Sequence, residues 1–455
     1  MMNPELRGGS FLIVGFGREG RSVLDHIQSL YPNARIGIAD QGAPDDRPPG
    51  VELFTGANYL ASASLFDTII RSPGVSIRAI KPHLSESSHL TSATNIFFAE
   101  CPGIIVGVTG TKGKSTTSSL AAAILSEVFG DVRLVGNIGT PMLNHLQGAT
   151  ADTIFVVELS SFQLEDLRFS PHVSILLNIV PEHLDYHGGF EPYCAAKTNI
   201  ARHQLASDIL ITHEGNQLLR DITSECAAMR HHFNERLSGS STTYVTDGTI
   251  VIDQGGYRAP IARTNDLPII GPGNLQNSLA AITCAVALGG TVEQIQQGLR
   301  NFKPLEHRLE FVATRHEISF YNDSLATIPD ALMNALVALG DEVETIIAGG
   351  FDRGVDMTPL GPALAASRVK NLLLFPTTGQ KIWDAALAAQ PQRKYTRVDV
   401  HTMNEAVQAA YDLTSPGKIC LMSPASSSFS IFTDYRDRGK QFKDAVKRLA
   451  PRKKL

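Results

Sequence analysis

A chain of 455 residues that is 43% hydrophobic and 19% charged has room for about three domains and the make-up of a globular protein rather than a disordered one. Its formal net charge of -5 excludes the broad cationic surface on which nucleic-acid affinity depends, and its basic cluster, Lys447-Arg448 with Arg452-Lys453-Lys454, sits in the C-terminal tail. The five cysteines (Cys101, Cys194, Cys226, Cys284, Cys420) are widely spaced with no CxxC pair, which excludes a disulfide framework or zinc site; with no leader pattern and no run of about 18 apolar residues, the expectation is a cytoplasmic protein with no membrane partner.

In chain order, Phe11-Leu12-Ile13-Val14 reads as a buried strand. It runs into a GxGxxG turn, Gly15-Phe16-Gly17-Arg18-Glu19-Gly20, and then an amphipathic helix to about Ser29. Asp40 closes the strand Arg35–Ala39 at the spacing of a ribose-binding carboxylate, and a second turn follows at Arg71-Ser72-Pro73-Gly74. This pattern fits a dinucleotide site. It fits better a Rossmann-like βαβ unit that carries the turn without NAD and holds a nucleotide-tagged substrate.

Next comes Gly107-Val108-Thr109-Gly110-Thr111-Lys112-Gly113-Lys114-Ser115-Thr116-Thr117. The strand Ile104–Val108 precedes it and an apolar-periodic helix over Ser118–Phe129 follows. Backbone N–H groups of such a turn converge on phosphate oxygens, so the segment predicts ATP binding. Lys114 meets the β and γ phosphates, and the hydroxyl of Ser115 or Thr116 is available to Mg2+. The strict G-x4-G-K-[ST] pattern is not met, because Val108 stands where its first glycine belongs and Gly107 lies one residue early.

Phe155-Val156-Val157-Glu158 places a carboxylate at a strand tip, where α/β sheets bind ligands and where it can hold a metal. Ile175–Ile179 repeats that geometry and leads to Glu182-His183-Leu184-Asp185, which offers an imidazole and carboxylates to a second ion. Lys197 follows. Thr242–Val245 and Thr249–Ile252 are β-rich with Asp-Gly and Gly-Gly turns, and a helix resumes at Asn274. The last segment has apolar strands at Thr345–Ala348, Leu372–Phe375 and Ile419–Met422 of the parallel-sheet type.

Taken together, several stretches resemble the Mur ligase family across nearly the whole chain: Gly110–Thr116, Asn137-Ile138-Gly139-Thr140-Pro141, Glu158–Glu165, Glu182–Asp185 with Lys197, and His307-Arg308 with Asn322-Asp323-Ser324. The family's phosphate loop also lacks the first glycine. The resemblance implies an α/β protein of three domains: a Rossmann-like N-terminal domain for the UDP end of the substrate (1–98), a central P-loop ATPase-like domain (99–304) and a Rossmann-like C-terminal domain for the amino acid (305–455). It further implies a monomer whose partners are small molecules: ATP, UDP-N-acetylmuramoyl-L-alanine and glutamate, joined through an acyl phosphate in peptidoglycan synthesis.

Site residues follow from the same resemblance. Gly110, Thr111, Lys112, Gly113, Lys114, Ser115 and Thr116 would hold ATP, with Asn274 and Asn277 on the adenine side, Asp323 at the ribose and Arg308 reaching phosphate. Two Mg2+ ions would involve Ser115, Thr116, Glu158, His183 and Lys197, with Lys197 carbamylated and so anionic. The catalytic set is Lys114, Glu158, His183 and Lys197. Gly15, Phe16, Gly17, Asp40, Ser72, Pro73 and Gly74 match the uridine-diphosphate pocket, so NAD is not expected, and Asn137, Ser160 and Gln163 match contacts to the muramoyl-alanine portion. Leu325, Thr327, Arg353, Ser428 and Tyr435 match the glutamate side.

Two departures stand out. Gly273 replaces a common His before Asn274. Relatives that add D-glutamate usually read Asn-Asp-Ser-Lys-Ala-Thr-Asn, whereas this chain reads Asn322-Asp323-Ser324-Leu325-Ala326-Thr327-Ile328. Loss of a cation and an amide from the amino-acid side points to L-glutamate, with D-glutamate as the alternative. Folylpolyglutamate synthetase-like ligases lack the N-terminal GxGxxG domain, and diaminopimelate-adding relatives would show Asp-Asn-Pro-Arg, which is absent. An NAD-binding protein is the alternative of a different class, and it predicts no ATP turnover.

Overall fold

The computed structural model describes residues 3–44, 48–137, 140–237, 241–429 and 431–449. Ile138 and Gly139 of the Asn137–Pro141 segment, and the tail residues Arg452, Lys453 and Lys454, lie outside the described residues. Among those described, the strands form three sheets of the expected α/β kind.

The first sheet contains β1 (Ser10–Val14), β2 (Arg35–Asp40), β3 (Glu52–Thr55), β4 (Thr68–Arg71) and β5 (His89–Ser92) in the order β3-β2-β1-β4-β5, all parallel. Phe11, Leu12, Ile13 and Val14 are all buried, as befits a central strand covered on both faces. The winding reverses between β1 and β4, and a doubly wound sheet opens a ligand crevice there. Both the Gly15–Gly20 turn and the Ser72–Gly74 turn leave the sheet at that point. Gly20 is required for the close approach of helix Arg18–Leu30, since a Cβ there would collide with the Gly15 carbonyl.

The second sheet contains β6 (Ile104–Thr109), β7 (Val132–Gly136), β8 (Ile154–Glu158), β9 (Val173–Leu176), β10 (Ile209–His213), β11 (Met229–Asn234), β12 (Thr243–Thr246), β13 (Thr249–Gln254) and β14 (Tyr257–Arg263). Their order is β14-β13-β12-β11-β10-β9-β6-β8-β7. The last two strands are antiparallel and turn at Asp247-Gly248 and Gly255-Gly256, while the rest are parallel. β6 lies between β8 and β9, so the phosphate loop at its end is flanked by Glu158 on one side and Asn178 on the other.

The helix after that loop differs from the sequence expectation. It runs Lys114–Leu125 rather than Ser118–Phe129. Its first turn, Lys114-Ser115-Thr116-Thr117, is polar, so apolar periodicity starts one turn late. Beyond Leu125 the chain turns, with Val128 N and Phe129 N both donating to the Leu125 carbonyl.

The third sheet contains β15 (Glu310–Arg315), β16 (Ile318–Asn322), β17 (Val343–Gly349), β18 (Asn371–Phe375), β19 (Thr396–Asp399) and β20 (Ile419–Met422). The order is β15-β16-β20-β17-β18-β19, and only β15 is antiparallel. Two compact units result: Met1–Pro268 with Asn274–Phe302 holds the first two sheets, and Ile269–Gly273 with Lys303–Leu455 holds the third. Among the described residues no helix is long and apolar enough to cross a membrane.

Candidate active site

In the first unit, the phosphate loop is held open by its neighbour strand. Asn178, just past β9, accepts at its carbonyl from Thr111 N (2.7 Å) and at Oδ1 from Lys112 N (3.0 Å), and its Nδ2 donates to the Lys112 carbonyl (3.0 Å). Thr111 Oγ1 accepts from Val180 N (3.0 Å) and lies 2.8 Å from Tyr193 Oη. Gly110 and Gly113 have φ of 156° and 89°, and a Cβ on Gly113 would collide with Asn277 Oδ1. Asn277, on the helix Pro272–Ala287, also donates from Nδ2 to Asn274 Oδ1 (3.1 Å), so this pair adjoins the loop at Gly113.

Two lysines converge on the loop. Lys114 Nζ donates to the Gly110 (3.1 Å) and Thr111 (2.9 Å) carbonyls, and Lys197 Nζ, fully buried on helix Phe190–Arg202, donates to the same Gly110 carbonyl at 2.8 Å. Burial and, next, the Lys114 charge bring the Lys197 pKa down to about 7. A large share of its amine is therefore neutral near pH 7, the state that captures carbon dioxide as a carbamate.

Glu158 ends β8 almost wholly buried. Its Oε1 accepts from Asn137 Nδ2 (2.8 Å), and its Oε2 has no partner. A buried carboxylate oxygen left over beside a phosphate loop fits a Mg2+ ligand, since the bare anion is otherwise costly to desolvate. No three His, Cys, Asp or Glu among the described residues cluster to enclose an ion, so such an ion would take its remaining oxygens from phosphates, hydroxyls and water.

His183 caps helix Leu184–His187 with a left-handed φ of 55°, its ring 4.9 Å from Phe162 and about half exposed. Burial above all, helped by the lysine charges, lowers its pKa, which keeps a lone pair available for a metal. Glu182 is differently engaged: its Oε1 pairs with Lys112 Nζ at 2.7 Å.

The two turns of the first sheet interlock. Gly15 N donates to the Ala39 carbonyl (2.9 Å), Phe16 N to Asp40 Oδ2 (2.7 Å), and Ser72 Oγ to the Gly15 carbonyl (2.6 Å). Asp40 also accepts from Gly42 N (3.3 Å), so its carboxylate shapes the turns themselves. Ser160 and Gln163 form a reciprocal capping box on helix Ser161–Leu164, and Gln163 Nε2 donates to Glu19 Oε1 (2.8 Å).

In the second unit, Asp323 Oδ1 accepts from Leu309 N (3.2 Å) and Oδ2 from Ser423 Oγ (2.7 Å), and burial raises its pKa to about 7. His307, next to Arg308, has φ of 66° and packs against Gly439, where a Cβ would strike its ring. Ser324 Oγ donates to the Tyr435 carbonyl (2.7 Å). Arg353 Nη2 reaches the Thr327 carbonyl (3.4 Å), Leu325 is 37% exposed, and Ser428 is buried. Arg438, which the sequence did not single out, is fully buried and clamps this loop set through Ser324 Oγ (3.0 Å), the Ser324 carbonyl (2.8 Å) and the Ser426 carbonyl (3.0 Å). Asn178, Tyr193, Glu19 and Arg71 were likewise not singled out as site residues. Their signal is an amide, phenol or charge inside or beside a motif whose partner lies far along the chain.

Residues 108–285 match the Mur ligase middle domain, and residues 307–426 match the Mur ligase, glutamate ligase domain. The chain is 34% identical over 403 residues to the UDP-N-acetylmuramoylalanine--D-glutamate ligase of Acetivibrio thermocellus, covering 87% of this chain and 86% of that one. It is 33% identical to the protein of the same name from Desulfitobacterium hafniense, over 97% of this chain and 98% of the relative. Among solved structures, the MurF ligase of Thermotoga maritima in complex with ADP superposes with a TM-score of 0.59 at 16% identity, covering 99% of this chain and 97% of that one. The UDP-N-acetylmuramate-alanine ligase MurC of the same organism gives 0.57 at 17% identity, covering 96% and 99%. At those identities the structural likeness is one of fold.

Proposed function

The chain belongs to the Mur ligase family, and from that premise we propose that it is an ATP-dependent ligase joining glutamate to UDP-N-acetylmuramoyl-L-alanine in peptidoglycan synthesis. The observation that carries the reading is the convergence of Lys114 and Lys197 on the Gly110 carbonyl of the phosphate loop, beside the strand β8 whose tip holds Glu158 with its Oε2 unpaired. That is a site for a polyphosphate with its metal. The ADP held by the Thermotoga maritima relative supports the same nucleotide class.

The chemistry is the meeting of anions. The substrate carboxylate attacks the γ phosphorus of ATP and ADP leaves. The amine of glutamate, having lost a proton, then attacks the acyl phosphate, and inorganic phosphate departs. Lys114 offsets charge on the phosphate oxygens, and the loop N–H groups orient them. Glu158, with a hydroxyl of Ser115 or Thr116, would hold Mg2+, and His183 a second ion; bound there, Mg2+ supplies neutralisation of phosphate and carboxylate charge. Carbamylated Lys197 would place an anion beside that ion. The interlocked turns at Gly15–Gly17 and Ser72–Gly74 would hold the uridine diphosphate.

The amino acid is read as L-glutamate, because Leu325 and Ile328 leave the cleft without the cation and amide of D-glutamate-adding relatives, so Arg353, Thr327 and Ser428 set the carboxylate positions. The names of the relatives favour D-glutamate as the second reading. Phosphate release measured with UDP-N-acetylmuramoyl-L-alanine and each enantiomer decides between them. The first reading predicts more than about tenfold higher kcat/KM for L-glutamate, the discrimination expected when the wrong hand leaves a buried polar group unpaired. No phosphate release with either enantiomer overturns the ligase reading.

A further inference from the structure

Two side chains at the end of the first sheet, Arg71 on β4 and Glu19 at the start of helix Arg18–Leu30, neither used in the chemistry above, converge on the one-turn helix Ser161–Leu164 that follows Glu158. Arg71 ends β4 immediately before Ser72-Pro73-Gly74 and is fully buried. Its guanidinium pairs with the Asp166 carboxylate (Nη2 to Oδ1 2.7 Å, Nε to Oδ2 3.4 Å) and donates to the carbonyls of Phe162 (2.8 Å), Val75 (3.1 Å) and Pro73 (3.4 Å). It also donates to Tyr186 Oη (3.2 Å), and that hydroxyl lies 3.0 Å from the Pro73 carbonyl and 3.1 Å from Glu165 Oε2. The second thread starts in the other turn, where Glu19 Oε1 accepts from Gln163 Nε2 and Gln163 Oε1 in turn accepts from Ser160 N.

Packing alone does not account for this. An apolar side chain of similar volume fills such a space without desolvating a charge. What it cannot do is hold carbonyls of the Ser72–Val75 turn and of the Ser161–Leu164 helix on one rigid, planar fork. We propose that Arg71, with Glu19, is a positioning residue that fixes the register between the two turns holding the nucleotide end of the substrate and the Glu158–Gln163 segment beside the phosphate loop. This register sets how far from the uridine diphosphate the reacting carboxylate must lie, and so makes the enzyme selective for acceptor length. The inference rests on the proposed ligase function.

The test is the ratio of kcat/KM for UDP-N-acetylmuramoyl-L-alanine to that for UDP-N-acetylmuramate, whose carboxylate lies one residue nearer the sugar. It is measured in the parent enzyme and in Arg71→Lys and Tyr186→Phe. A ratio does not depend on the fraction of enzyme that is folded, so a merely structural role leaves it unchanged. Arg71→Lys, which keeps the charge and loses the fork, should lower it by about tenfold or more, as displacements of the order of 1 Å do to oriented reactants. Tyr186→Phe should lower it in the same direction. If the lysine variant fails to fold, Tyr186→Phe decides. A ratio within twofold of the parent in the folded variants, or a parent indifferent to acceptor length, overturns the proposal. A parent that turns over neither nucleotide refutes the ligase reading itself, which is a distinct outcome.

Discussion

Carbon dioxide should be required for full activity, and Lys197 is the reason. With its pKa at about 7 instead of the ordinary 10.5, roughly half of the Lys197 amine is neutral at pH 7, against about 0.03% for an unperturbed lysine, a gain on the order of 10³-fold in the form that adds carbon dioxide. The unmodified side chain also leaves a signature in stability. The unfolded chain keeps this proton up to about pH 10.5 while the folded chain releases it near 7, so the unfolded state binds more protons in that window. Stability of the unmodified protein therefore rises with pH from about 7 to 10.5, and below about 7 the full penalty, on the order of 4–5 kcal/mol, is present. Enzyme prepared in carbon-dioxide-free buffer should lose most of its activity and recover it with bicarbonate, with the mass gain of one carboxyl group on the peptide bearing Lys197. The slope of Tm against pH should flatten after bicarbonate treatment. Lys197→Ala should be nearly inactive and regain some turnover with acetate or formate. Parent-like activity in Lys197→Ala, or full activity without carbon dioxide, would refute the reasoning.

Lys114→Ala should reduce phosphate release by about 10²–10³ with the fold intact by circular dichroism, because the glycines shape the loop and the ammonium meets phosphate; near-parent turnover would remove ATP from this loop. Glu158→Gln should lower kcat and raise the Mg2+ concentration needed for half-maximal rate, while raising Tm, since it removes the charge from a buried carboxylate with one unpaired oxygen; an unchanged Mg2+ requirement would argue against Glu158 as a ligand. Leu325→Lys combined with Ile328→Asn should shift the ratio of kcat/KM for L- over D-glutamate toward D by about tenfold, and no shift would show that these positions do not set the hand. Asp323, with its folded pKa raised to about 7 by burial, binds a proton in the folded state that the unfolded chain loses near 3.8, so its contribution to stability is lost as pH rises through 7. Asp323→Asn should flatten the fall in urea midpoint between about pH 4 and 7, and an unaltered fall would assign it to another group.

Local order along the chain was enough to read much of this protein. The strand, turn and helix around Gly110–Lys114, the carboxylate at the tip of β8, the GxGxxG turn and the core strands β17, β18 and β20 are all patterns of adjacent residues whose backbone consequences are set within one element. The start of the helix at Lys114 escaped periodicity because its first turn is polar in sequence, although Thr116 and Thr117 are buried. What only the tertiary structure decided involves partners distant in sequence. Asn178 holds Lys112 across 66 residues, Arg71 reaches Asp166 across 95, and Arg438 clamps Ser324 across 114. Asp40 reads from its spacing as a ribose-binding carboxylate, and the folded chain adds its bonds from Phe16 N and Gly42 N, which spacing does not give. The Lys197 amine owes its lowered pKa to burial beside Lys114, a property of the packed surroundings and not of the residue type. Sequence patterns encode backbone direction and face, whereas desolvation and the pairing of a buried charge exist only once separate elements have closed around it.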